Sequence, residues 1–92
     1  MEEWLKKAID LIKKSFKNIK DIDYKIIMRI FYEHLSNRNL AKLISILYDL
    51  NEIDVYFEID IIIFKEKFDE SLLENTLKVL KENGFDKWVE EE

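Results

Sequence analysis

The chain has 92 residues, 48% hydrophobic and 38% charged, with one Gly, no Pro and no Cys. That composition belongs to one ordered domain and excludes disulfides, cysteine-zinc sites, thiol chemistry and a glycine-rich phosphate loop. The net charge of −5 hides two opposite halves: residues 1–42 hold ten Lys/Arg against six Asp/Glu, and residues 43–92 hold five against fourteen.

Residues 3–20 read as a helix. Leu5, Ala8, Ile9, Ile12, Phe16 and Ile19 follow three-to-four spacing, with Lys6, Lys13, Lys17 and Lys20 opposite. Glu2 and Glu3 open the segment and lysines close it, which suits the helix dipole. Asp21 or Asp23 can cap a second helix over residues 24–35. Its apolar residues cover more than one side, so it is expected at the centre of the fold. Ser36-Asn37-Arg38-Asn39 is a turn, and Ser36 or Asn39 can cap a third helix over residues 40–51.

The next segment alternates. Ile53, Val55, Phe57, Ile59, Ile61 and Ile63 stand at every second position, with Asp54, Glu58 and Asp60 among the intervening residues. Period two with β-branched and aromatic residues predicts a β-strand with one apolar face and one face that begins acidic. Asp69 or Ser71 caps a last helix over residues 70–83, and Gly84 falls where a helix end needs a left-handed residue. Trp88-Val89 can add a short strand, and residues 90–92 read as a solvated acidic tail.

The predicted fold is α+β and mostly helical. About four helices stand in the order α-α-α-β-α, with one long strand or hairpin between the third and fourth, in a single domain over residues 1–92. Leu47, Phe57, Ile61 and Leu77 are expected deep in the core. A lone strand with one apolar face leaves backbone groups unpaired. It needs a hairpin, a pairing with residues 85–89, or the same strand of a second molecule, so a homodimer is expected.

No residue set points to catalysis. His34 is the single histidine, and no nucleophile–base pair accompanies it. No cofactor or metal is expected, and the chain is read as non-enzymatic. The expected role is a protein-interaction module: an accessory subunit, inhibitor or adaptor. Asp54, Glu58, Asp60, Glu66, Asp69 and Glu70 would face a basic protein partner, of which a nucleic-acid-processing enzyme is one concrete version. One alternative is a winged-helix-like DNA-binding regulator. It would use residues 40–51 as recognition helix and 53–67 as wing, with nucleic-acid contacts from Lys6, Lys13, Lys17, Lys20, Arg38 and Lys42. Another is a carboxylate-metal enzyme built on the acidic strand face.

No apolar run approaches the roughly 18 residues of a membrane span, and Met1-Glu2-Glu3-Trp4 has the wrong charge for a signal peptide. A soluble cytoplasmic protein is therefore expected, without membrane contact. Thirteen Lys to two Arg, fourteen Ile and no Gln fit a thermophilic archaeon or archaeal virus.

Overall fold

The computed structural model describes residues 1–91. Among them run six α-helices and one 3-10 turn, with no strand. They are α1 Glu3–Ser15, the 3-10 turn Ile19–Asp21, α2 Tyr24–Tyr32, α3 Asn37–Tyr48, α4 Glu52–Lys65, α5 Glu70–Glu82 and α6 Phe85–Glu91.

Side chains start four of these helices by accepting orphan backbone N–H groups. Asp23 accepts from the amide of Lys25 at 2.9 Å, and Ser36 from that of Asn39 at 3.2 Å. Asn51 accepts from the amide of Asp54 at 3.0 Å, and Asp69 from that of Leu72 at 3.1 Å. α1 stops five residues before its predicted end at residue 20 because Phe16 is extended. Asn18 then accepts from the amide of Lys20 at 3.1 Å and opens the 3-10 turn instead. α3 ends on Asp49 in the left-handed region (φ 59°). Gly84 ends α5 with φ 107°, as its position predicts.

α3 is the central helix, touching α1, α2, α4 and the 3-10 turn. The sequence reading placed residues 24–35 there. α2 is indeed packed on several sides, against α3, α4 and α5. The hub passes to α3 because Ala41 and Ser45 are small and let neighbouring helices approach. Leu40, Leu43, Ile44 and Leu47 fill the space around them. Ser45 satisfies its buried hydroxyl by donating to the carbonyl of Lys42 at 2.9 Å.

Phe31 of α2 is wholly buried. It meets Phe85 and Trp88 of α6 edge-on, with ring centroids 5.6 Å and 5.1 Å away. That cluster corrects the expectation of a terminal strand. Residues 88–89 lie in α6, where Trp88 is buried, and its indole N–H has no hydrogen-bond partner. Glu90 and Glu91 are the last residues of α6, with Glu91 3.5 Å from Lys7 of α1, while Glu92 lies outside the described residues.

The α+β expectation fails at residues 52–65, which form α4. The described residues contain no second strand, so a strand here would leave its ladder groups unpaired. A helix closes every interior hydrogen bond within the segment. Local chemistry agrees: Asn51 caps it, Glu52 and Asp54 stand in its first turn and Lys65 in its last. Val55, Ile59 and Ile62 recur at helical spacing and are buried. Leu47 is buried as expected, but Leu77 is only partly buried, at the edge of the core, and Phe57 and Ile61 lie outside.

Tyr48 closes α3 onto the turn before α2. Its hydroxyl donates to the carbonyl of Ile22 at 2.9 Å, and its ring lies 5.9 Å from that of Tyr24. Burial, reinforced by Asp23, pushes its phenol far above the ordinary range. The unfolded phenol ionises near pH 10, so this contribution is complete below about pH 10 and is lost as pH rises beyond it. Tyr48→Phe is expected to be less stable than wild type at neutral pH by about 1 kcal/mol. Denaturation midpoints taken from pH 8 to 12 should show the gap narrowing with alkalinity; a constant gap refutes the assignment.

Candidate functional site

The most unusual surface lies on α4. Ile53, Phe57, Ile61 and Phe64 are 66%, 69%, 58% and 73% exposed. They repeat at three-to-four spacing, so they form one stripe on the side of α4 opposite Val55, Ile59 and Ile62. Tyr56 borders the stripe, 5.5 Å from the Phe57 ring, and Phe64 meets Tyr32 edge-on at 6.3 Å. α4 spans roughly 21 Å of a molecule whose longest extent is 33 Å. The stripe from Ile53 to Phe64 occupies roughly 17 Å of that helix. Five such side chains leave on the order of 600 Å² of apolar area in water. That is the upper end for a monomer, where such patches mark interaction sites.

Period-two alternation explains why sequence reasoning missed this surface. Apolar residues at every second position fall all around a helix, so α4 is apolar on both its buried and its exposed sides. The fourteen residues of the segment exceed the usual five to six of a strand and carried the signal of a helix.

The acidic residues proposed for partner binding are dispersed by the same change. Asp54 and Glu58 stand one turn apart on one flank of α4, and Glu58 accepts from the Tyr24 hydroxyl at 3.2 Å. Burial and then the nearby Glu58 raise the Tyr24 phenol above its ordinary value. Asp60 interrupts the stripe itself and accepts from the side-chain amide of Asn37 at 3.0 Å. Glu66 is held by Lys25 at 2.7 Å, an ion pair that raises the Lys25 ammonium. Asp69 caps α5, and Glu70 lies beside a separate groove. These acids are exposed but do not share one face.

The candidate nucleic-acid contacts are also spread. Lys6 and Lys13 are exposed on α1, whereas Lys17 and Lys20 fall past its end, and Lys20 lies 3.8 Å from Asp49. Lys42 is tied to Glu2 at 2.8 Å, which with the Trp4 indole holds the Glu2 carboxyl below its usual value. Arg38 borders a shallow recess with Glu52, Ile53, Tyr56 and Phe57. The wing of the winged-helix alternative is absent, because residues 53–65 are helical.

A second groove of about 430 Å³ lies between α2, α5 and α6. Ile30, Leu73, Leu77 and Val89 line it, with His34 and several charged residues around them. His34 packs edge-on against Phe85 at 5.5 Å, and no Ser, Thr or Cys lines the groove to act with it. Among the described residues no three His, Asp or Glu gather as a metal site, and no helix is long and apolar enough to cross a membrane. No protein-family model matches the chain, and no curated protein or solved structure is significantly similar to it.

Proposed function

We propose that the protein is a small, non-enzymatic cytoplasmic interaction module that docks on another protein through the exposed side of α4. The apolar stripe Ile53, Phe57, Ile61 and Phe64 carries the reading. Burying such a face removes apolar surface from water, and aromatic residues standing on a rigid helix are the usual anchors of an interface. Asp54 and Glu58 flank the stripe and would set approach and register rather than supply most of the affinity. The acidic residues thus keep a part in the interface, but as its rim.

A DNA-binding role has less support. The exposed lysines belong to different elements, Lys42 and Lys20 already face carboxylates, and the α4 surface carries acids that phosphates repel.

The test is affinity capture from the native host with the intact protein, read by mass spectrometry. Phe57→Lys with Ile61→Lys is expected to remove the captured protein, while Lys13→Glu with Lys17→Glu leaves it. The opposite pattern, together with a gel shift on duplex DNA that weakens steeply with salt, overturns the reading in favour of the basic end.

A further inference from the structure

We infer that the partner docked on the α4 face is a cationic amphipathic helix of another protein, with an apolar strip bordered on both sides by Lys or Arg. The inference rests on the interaction reading above and specifies the chemistry of its partner.

Charge selects the occupant. At 3.6 residues per turn, Asp54 and Glu58 border the stripe on one flank. Asp60 cuts into it from the other, with Glu52 further round on that side. Among the described residues none of these four carboxylates forms an ion pair. The side-chain donors that reach them are neutral: the Tyr24 hydroxyl to Glu58 at 3.2 Å and the Asn37 amide to Asp60 at 3.0 Å. Lys65 stands on the flank of Asp54 and Glu58, and Arg38 borders the recess beside Glu52. Each flank thus keeps two acids against one cation. Nucleic acid and anionic lipid are repelled from such a face. A second copy of this chain brings the same four acids and is repelled as well. A partner whose apolar strip lies between lysines or arginines is attracted along both flanks at once. The exposed rings of Tyr56, Phe57 and Phe64 add to this, because a Lys or Arg head group is drawn to an aromatic face.

Shape selects a helix. The stripe is a ridge of side chains at three-to-four spacing, which fits the groove between the side-chain rows of another helix. About three turns of that helix cover it, since both rise 1.5 Å per residue. An extended segment has no sheet edge to join, because the described residues contain no strand. A recess of about 400 Å³ opens beside the first half of the stripe, where Ala41, Ile53, Tyr56 and Phe57 can receive one large apolar side chain of the incoming helix.

Synthetic peptides of about 18 residues, long enough to be helical when docked, test this on the intact protein. One carries Leu at three-to-four spacing and Lys elsewhere. A second replaces each Lys by Glu, and a third keeps the Lys composition but scatters the Leu. Fluorescence anisotropy reads affinity, and amide chemical shifts locate the site. The amphipathic Lys peptide is expected to bind with a roughly micromolar dissociation constant, as suits a small interface. It should shift the amides of α4 and weaken as salt rises. The other two should bind at least about tenfold more weakly. Phe57→Gln with Ile61→Gln should raise the dissociation constant about 30-fold, as loss of interface anchors does. Asp54→Lys with Glu58→Lys should make the Glu peptide the better ligand. Far-UV circular dichroism should be unchanged in both variants, because all four side chains are exposed.

Equal binding of the Lys and Glu peptides removes the charge selection and overturns the proposal. Equal binding of the scattered peptide removes the helix and overturns it too. Shifts confined to the groove between α2, α5 and α6 place the contact elsewhere, with the same consequence. Self-association of the wild type that is lost in Phe57→Gln with Ile61→Gln gives the face to a second copy and overturns the cationic partner. Failure of all three peptides overturns the cationic helix alone, provided Phe57→Lys with Ile61→Lys still abolishes capture of a host protein. Failure with capture also unaffected overturns the interaction reading with it.

Discussion

Phe31→Ala is expected to cost roughly 3–5 kcal/mol, the largest effect of any single truncation in this protein. Phe31 is wholly buried and holds α6 to α2 through Phe85 and Trp88. Removing the ring leaves a cavity that neither aromatic neighbour can fill without leaving its own place against α5 or α1. A domain of this size loses about 4–8 °C per kcal/mol, so the thermal midpoint should fall by roughly 15 °C or more. Calorimetry checks it. A fall of only a few degrees shows that α6 adds little to the cooperative fold, and that the C-terminal cluster is peripheral to it.

The second large effect separates two neighbours in sequence parity. Ile59→Ala is expected to cost roughly 2–5 kcal/mol, while Phe57→Ala should cost under about 1 kcal/mol in the isolated protomer. Ile59 is wholly buried between α4 and its neighbours, and Phe57 is 69% exposed. In a strand the two side chains would share one face and would respond alike. Urea denaturation of the two variants, at a concentration too low for association, distinguishes the arrangements. Equal, large costs would return the segment to the strand reading and remove the exposed stripe on which the interaction proposal rests. Unequal costs support a face that is free to dock because the fold does not need it.

Much of the fold was legible in the residues because its causes are local. Asp23, Ser36 and Asp69 accept backbone amides within three residues of themselves, so cap positions could be read without knowing what the helices touch. The three-to-four spacing of Leu5, Ala8, Ile9 and Ile12 names a buried face by itself. Gly84 needs a backbone conformation that other residues resist, and it adopts it.

Other features were decided only by the tertiary structure. Alternation in residues 53–63 is compatible with a strand, but a strand requires a neighbour, and the described residues provide none. The choice between strand and helix was therefore made by hydrogen-bond satisfaction across the whole molecule. The surrounding helices then determined which side of α4 was buried: Val55, Ile59 and Ile62 turn inward because α3 and α2 lie there. The stripe of Ile53, Phe57, Ile61 and Phe64 is what remained outside. By itself the sequence determined a small, cysteine-free, charge-divided chain of capped amphipathic helices. Its candidate interface emerged only when packing used one side of an all-round apolar helix and left the other in water, because burial depends on neighbours that local spacing cannot name.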